Sequence, residues 1–460
     1  MVKLNEEPGS CQALAFYAAA QPPSSAEVQR RFGNRGVRLR SLPPGPRGSW
    51  GFEIDHPEWG EACIAGIAER PDVSPLAIQI SNRLLPEEKE HALAARSVLA
   101  VITSEREGHA PEDRKFLLRF LEVLLDPASP HATGFDCRAR TLWSGAALRE
   151  ELAHDADLDI HALIEMHGAS KHPPKLELTP DGRDIVPPRV DWFHSHGLAD
   201  LGSYDFEILQ PAPILLLDGF EVLRGLAHRL LYGSIEPGAP RQTLFVPGGD
   251  IALIDVARFE REGPREERAL RVRLPQGDAH DGPRRVVVCD PLVAAAPSTQ
   301  RTQRWPVRAS RAMRRLPAAS SVIDFPPCVT ALLAERAQKT APALRAIVEE
   351  HANELLETIV QVFCPMGAPD SGQPWQILWF ELERFENDQT FTGKVRFEPQ
   401  GSSDYKRGRR MTFGVEDLAN WRVWSPLGPI TPYDRTAARA FQKILPHLRE
   451  EFAAERARMS

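Results

Sequence analysis

The chain has 460 residues, 42% of them apolar and 26% charged, and a formal net charge of −7. These are the proportions of a globular chain large enough to bury a sizeable core, and they exclude a largely disordered one. The longest clean apolar run, Ala13–Ala20, is too short to cross a bilayer. The negative balance excludes a globally basic nucleic-acid or acidic-membrane binder and leaves only a local patch for such a role.

Residues 11–19 and 49–55 read as strands, and between them a short helix is predicted from Ser24 to Phe32 behind a serine-rich entry. Residues 76–80 read as a further strand. Pro86–Ala95 reads as a helix that runs into an apolar strand over 97–103. The clearest amphipathic helix covers 111–125, where Phe116, Leu117, Phe120, Leu121, Leu124 and Leu125 recur at helical spacing. A strand at 133–137 follows. This alternation predicts an N-terminal α/β sandwich over 1–155.

The middle region, 156–323, carries strand signals at 191–196, 205–209, 251–255 and 285–289 and a helix signal at 215–231. Its last part, 291–323, holds Pro297, Pro306 and Pro317 with no acidic residue, and reads as a connector or exposed arm. The C-terminal region, 324–460, opens with helices at 329–338 and 342–362. Strands follow at 375–385, 390–397 and 410–415, with Asn387-Asp388 as a hairpin turn, a short turn at 416–421 and a closing helix at 434–452. The expected class is therefore α+β, ending in a small β-rich domain with flanking helices.

The N-terminal stretch Met1–Glu7 is too acidic and polar for a signal peptide, so a cytoplasmic protein is expected. Arginine supplies 47 of the 56 basic residues, which with abundant alanine and proline suggests a GC-rich bacterial genome rather than a nucleic-acid function. The six cysteines, Cys11, Cys63, Cys137, Cys289, Cys328 and Cys364, form no CxxC pair. That spacing does not support a zinc ribbon or a thioredoxin-type site, and buried thiols are the expected state.

Two segments resemble known families. Trp379-Phe380-Glu381-Leu382, Phe391-Thr392-Gly393-Lys394-Val395, Gly408 to Phe413 and Glu416-Asp417-Leu418-Ala419-Asn420-Trp421 follow in order. This succession resembles the small bacterial domain-of-unknown-function family numbered 2314, over about 50 residues. The stretch Gly401 to Arg407 departs from that family's short apolar segment. Upstream, Asp191-Trp192-Phe193-His194-Ser195-His196-Gly197-Leu198 followed by Tyr204-Asp205-Phe206-Glu207-Ile208 resembles a related family numbered 4026. The resemblances imply a bacterial cytoplasmic protein and bring no reaction, substrate or cofactor with them.

The sharpest local chemistry is His194-Ser195-His196. In a strand, positions i and i+2 share a face, so the two imidazoles can converge. With Asp191 or Asp205, or alternatively Asp200 or His167, they would form the start of a divalent-metal site. The alternative is that the histidines hold the turn into Gly197. Ser195 points to the other face, so neither histidine can act as its base. The acidic run His154 to His161 lacks the central glycine of a calcium loop and reads as a helix entry.

Arg301, Arg304, Arg308, Arg311 and Arg315 have the spacing of one helix face, interrupted by Pro306, and read as an anion- or partner-contacting arm. A second basic cluster is Lys406, Arg407, Arg409 and Arg410. No P-loop, no dinucleotide fingerprint and no HExxH motif occurs.

The leading expectation is a non-catalytic cytoplasmic bacterial protein that binds another protein, of an immunity or accessory kind, with no cofactor. The competing expectation is a metal-dependent hydrolase built on His194 and His196. A third is nucleic-acid association through the two basic clusters, which is not favoured.

Overall fold

A computed structural model describes residues 10–33, 37–43, 49–81, 83–106, 109–153, 158, 160–169, 177–178, 185–186, 192–209, 219–232, 242–246, 249–256, 261, 284–289, 322–323, 327–351, 357–365, 375–396, 404–425, 428–433, 436, 438–443 and 446. These residues form an α+β fold in two compact units. One lies within Met1–Cys137, Thr141–His161 and Thr330–Ser460, the other within Arg138–Arg140 and Ala162–Val329. No helix among the described residues is long and apolar enough to cross a membrane.

The first unit begins with β1 (Ser10–Tyr17), α1 (Ser25–Phe32), β2 (Arg38–Ser41), β3 (Trp50–His56), β4 (Gly60–Ile67), α2 (Pro75–Ile80) and α3 (Pro86–Leu93). It continues with β5 (Ser97–Ser104), α4 (Ala110–Leu124), β6 (Thr133–Asp136), β7 (Thr141–Ser144) and α5 (Gly145–Leu152). The strands form one antiparallel sheet in the order β2-β3-β4-β5-β1-β6-β7. Leu14, Phe16, Val98 and Ala100 pack with Ile78 of α2 and Ala92 of α3. On the alternate face, Tyr17 donates its hydroxyl to the Leu124 carbonyl at the end of α4, at 2.5 Å. Helices thus cover both faces of β1 and β5, which is why these strands read as continuous apolar runs rather than as alternation.

Residues 76–80, expected as a strand, are helical. Pro75 supplies a preset φ at the first helical position and needs no backbone donor there, so the apolar run winds instead of extending. The serine entry of α1 behaves as read: Ser24 Oγ accepts from Glu27 N at 3.2 Å.

The second unit follows with α6 (Ile160–Leu163), β8 (Glu165–Ala169), β9 (Glu177–Leu178), β10 (Ile185–Val186), β11 (Trp192–His196), β12 (Asp205–Leu209) and α7 (Gly219–Leu231). Its remaining strands are β13 (Gln242–Val246), β14 (Gly249–Asp255), β15 (Arg285–Cys289) and β16 (Val322–Ile323). Seven of these strands form a sheet in the order β16-β13-β14-β15-β12-β11-β8, with β12 and β15 parallel, while β9 and β10 pair separately. Of the expected connector 291–323, Val322 and Ile323 pair with β13, and 291–321 lie outside the described residues.

The first unit resumes with α8 (Pro327–Lys339), α9 (Ala341–His351), β17 (Glu357–Pro365), β18 (Trp375–Phe385), β19 (Thr390–Val395) and β20 (Arg410–Gly414). A 3-10 turn (Val415–Asp417), β21 (Leu418–Ser425) and β22 (Gly428–Ile430) complete the elements. The sheet order is β20-β19-β18-β17-β21-β22. Its core joins Leu344 and Ile347 of α9 to Val360, Val362, Phe380, Phe391 and Trp421.

Two expectations are corrected here. The helix expected over 342–362 ends at His351, and 357–365 is a central strand whose Thr, Ile, Val and Phe residues suit a pleated surface. The turn expected over 416–421 ends at Asp417. Leu418–Ser425 is an interior strand paired on both edges, and its burial on both faces hides the period-2 signal.

Polar bonds, some of them buried, join the N-terminal and C-terminal parts of the chain within this unit. Arg336 on α8 donates to both carboxylate oxygens of Glu151 on α5, at 2.8 and 2.6 Å, a bidentate pair sunk in the core. Arg439 donates to Glu88 at 2.9 Å and to Ser144 Oγ at 3.0 Å, and Lys443 to Glu87 at 3.0 Å. Trp421 Nε1 donates to Thr340 Oγ1 at 3.0 Å, so this tryptophan belongs to the core.

Candidate functional site

The His-Ser-His segment lies on β11, an interior strand. Its neighbours place His167 of β8 and Glu207 of β12 directly opposite His194, and Glu165 opposite His196. The rings of His194 and His196 stand 4.7 Å apart, nearly perpendicular, as expected for two side chains on one face of a strand.

Ser195 faces away from both and is fully buried. Its hydroxyl donates to Asp205 Oδ1 at 2.9 Å and accepts from Phe206 N at 3.0 Å. The same Asp205 oxygen accepts from Leu198 N at 3.1 Å. One carboxylate oxygen therefore ties the end of β11 to the start of β12 and organises the turn between them. Gly197 sits in that turn at φ +107°, and a Cβ there would stand 2.8 Å from the Leu163 carbonyl oxygen, so only glycine fits. Ser203 closes the other end by donating to the Leu230 carbonyl at 2.6 Å.

Burial pushes the Asp205 carboxyl up to about 6, against the bond from Ser195, the positive charge of Arg285 and the Leu198 N–H. Two positions along β12, Glu207 pairs with Arg285 at 3.0 Å, both side chains buried. Arg138 donates to Asp200 at 2.8 Å in the same unit.

Of the residues expected to hold a metal, His194 and His196 come together. Asp205 is engaged by Ser195 and Leu198, and Asp191 lies outside the described residues. Among the described residues, no three His, Cys, Asp or Glu side chains form a group that could hold a metal ion. Arg301, Arg304, Arg308, Arg311 and Arg315 lie outside the described residues, as do residues 154–157 and 159 of the acidic run. Leu158 and Ile160 of that run are buried, and Ile160 opens α6.

The second basic cluster is described in full. Lys406, Arg407 and Arg409 lie on the connection from β19 to β20 and Arg410 opens β20, all four exposed. Arg409 N donates to the Lys406 carbonyl at 2.9 Å, closing a four-residue turn whose third residue, Gly408, has φ +82°. That is the geometry a type II turn requires, and glycine supplies it without strain. Gly408 N is itself bonded to the Val395 carbonyl at 2.8 Å. Tyr405 is buried and donates its hydroxyl to the Pro365 carbonyl at 3.1 Å, anchoring the turn to the sheet. Arg410 and Lys394 both hold Glu383, at 2.9 and 2.7 Å, and the bond from Lys394, followed by Arg410, keeps this carboxyl below its ordinary range.

Sequence reasoning missed the Ser195–Asp205 bond, the Arg285–Glu207 pair and the role of Lys394 and Glu383. The spacing Asp205-x-Glu207 places two acids two apart on a strand, which is a legible signal, but their partners come from β11 and β15. Buried thiols were expected; Cys11 and Cys364 are buried, whereas Cys63 and Cys137 are only half-buried, and burial pushes the Cys364 thiol up to about 12.

No family model, curated protein or solved structure matches the chain.

Proposed function

We propose that this is a non-catalytic binding protein of the bacterial cytoplasm, one that holds another protein and transforms no substrate. The observation that carries this reading is the commitment of Ser195. The one nucleophile in the sharpest motif is fully buried, donates its single proton to Asp205 and accepts from Phe206, and so is committed to the turn. Asp205 and Glu207, the acids beside it, are likewise engaged by Ser195, Leu198 and Arg285. Groups so buried and engaged specify a fold, whereas a nucleophile needs an approach for substrate, which Ser195, fully buried, does not offer.

The shared face of His194 and His196 supports a second reading, a metal-dependent hydrolase in which they bind a divalent ion with Asp191 or Asp205. Elemental analysis of the purified protein beside a His194→Ala/His196→Ala variant separates the two. The binding reading expects no stoichiometric metal in either protein, even after loading with zinc or manganese. Stoichiometric metal in the wild type that is lost in a folded double variant would replace it with the hydrolase reading.

A further inference from the structure

We infer that the turn Lys406–Arg409 is a preformed cationic prong that docks on an acidic surface of a partner protein. The inference rests on the binding-protein reading above and names its contact surface.

Three observations combine. First, the turn presents Lys406, Arg407 and Arg409 to solvent in a chain whose net charge is −7, so its sign is local and opposite to the whole. Second, the turn is anchored to the sheet. Tyr405 is buried beneath it, the Gly408 and Arg409 amides are bonded to the backbone, and Arg409 donates a side-chain bond to the Asp404 carbonyl at 2.6 Å. A turn backbone held in place before binding loses little freedom on docking. Third, a Cβ built on Gly408 would meet nothing within 4 Å, so the tip stands in open space among the described residues.

The partner's chemistry follows from what flanks the tip. A nucleic-acid strand needs a continuous basic track and aromatic rings on which bases stack. Here Glu383 interrupts the track between Lys394 and Arg410, and the ring of Tyr405 is turned inward. A few discrete carboxylates on a protein suit this arrangement: the exposed cations meet them while Glu383 stays neutralised behind. Complementary charge of this kind chiefly sets encounter rate and specificity.

The test uses the full chain and a fluorescein-labelled oligo-glutamate peptide, read by fluorescence anisotropy at low and high salt. Wild type is expected to bind with an affinity that falls as salt rises. Arg407→Glu/Arg409→Glu is expected to lose roughly tenfold or more of that affinity with an unchanged thermal midpoint. Gly408→Ala keeps every charge but strains the positive-φ position, and is expected to bind severalfold more weakly. Equal binding by wild type and the charge-reversed variant overturns the inference. So does tighter binding of a single-stranded oligonucleotide through the same residues, which would assign the prong to nucleic acid. Neither result touches the metal assay, so failure of the prong and failure of the binding-protein reading are told apart.

Discussion

The sheet of the second unit and the C-terminal sheet of the first place their charges in opposite ways. Around β11, β12 and β15, Asp205, Glu207 and Arg285 are buried and bonded to one another's strands. Around β18, β19 and β20, the interior is Leu378, Phe380, Leu382, Phe391 and Phe413, and the charges of Lys394, Arg410 and Glu383 meet on the outside. A charge buried and engaged costs desolvation and must be matched, so it serves register and turn geometry. A charge left outside on an anchored turn contributes little to stability and remains available to a partner.

Removing one partner of a charge pair in each sheet is the strongest test of this contrast. Glu207→Gln takes the carboxylate from a buried cation and is expected to cost about 3–5 kcal/mol of unfolding free energy in urea titration. A loss indistinguishable from zero would show that the pair is not sunk in the fold.

The next effect is in pH. Asp205 ionises near 6 in the folded protein and near 3.8 as an unperturbed group. Between these values the folded state keeps a proton that the unfolded chain has released. The stabilising contribution is therefore full below about pH 4 and declines as pH rises to about 6, by about 3 kcal/mol in all at ~1.4 kcal/mol per pH unit. Urea unfolding across this range should show that decline, and Asp205→Asn should flatten it. A wild-type profile with the same slope as the variant would remove Asp205 as its source.

The smallest effect is expected outside. Glu383→Gln should leave the thermal midpoint where it is, because its partners Arg410 and Lys394 reach water. It should also strengthen oligo-glutamate binding slightly by releasing two cations. A large drop in midpoint would mean that the outer charges carry the sheet, against the contrast drawn here.

Much of the fold was legible because local signals and tertiary demands agree. Ser24 reads as a cap and acts as one, the periodic apolar residues around Phe120 form α4, and the residues between Phe385 and Thr390 turn with Gln389 N on Asn387 Oδ1. Two of the misreadings fall where they conflict. Residues 76–80 look extended until Pro75 is given its helical role, and Leu418–Ser425 shows no alternation because both edges are paired and seven of its eight residues are buried. At the site, the two-residue repeat of His194 and His196 predicted a shared face, which the ring separation of 4.7 Å matches. Ser195 was correctly turned away from them, yet its bond to Asp205 was not legible, because the pairing of β11 with β12 decides which residues meet across the strands.

By itself the sequence determined the α+β class and the positions of elements such as α1, α4, β5, β11 and β18, and it showed which residue types stand in the His-Ser-His strand and the Lys406–Arg410 cluster. Periodicity, caps and turn residues act within a few positions of the chain and can be read there. The tertiary structure decided which polar groups are engaged and which are left exposed. Arg336 finds Glu151 across 185 positions, and Arg285 finds Glu207 across 78. Burial and pairing over such separations arise only when strands and helices are assembled, and they separate a charge that holds the fold from one that can meet a partner.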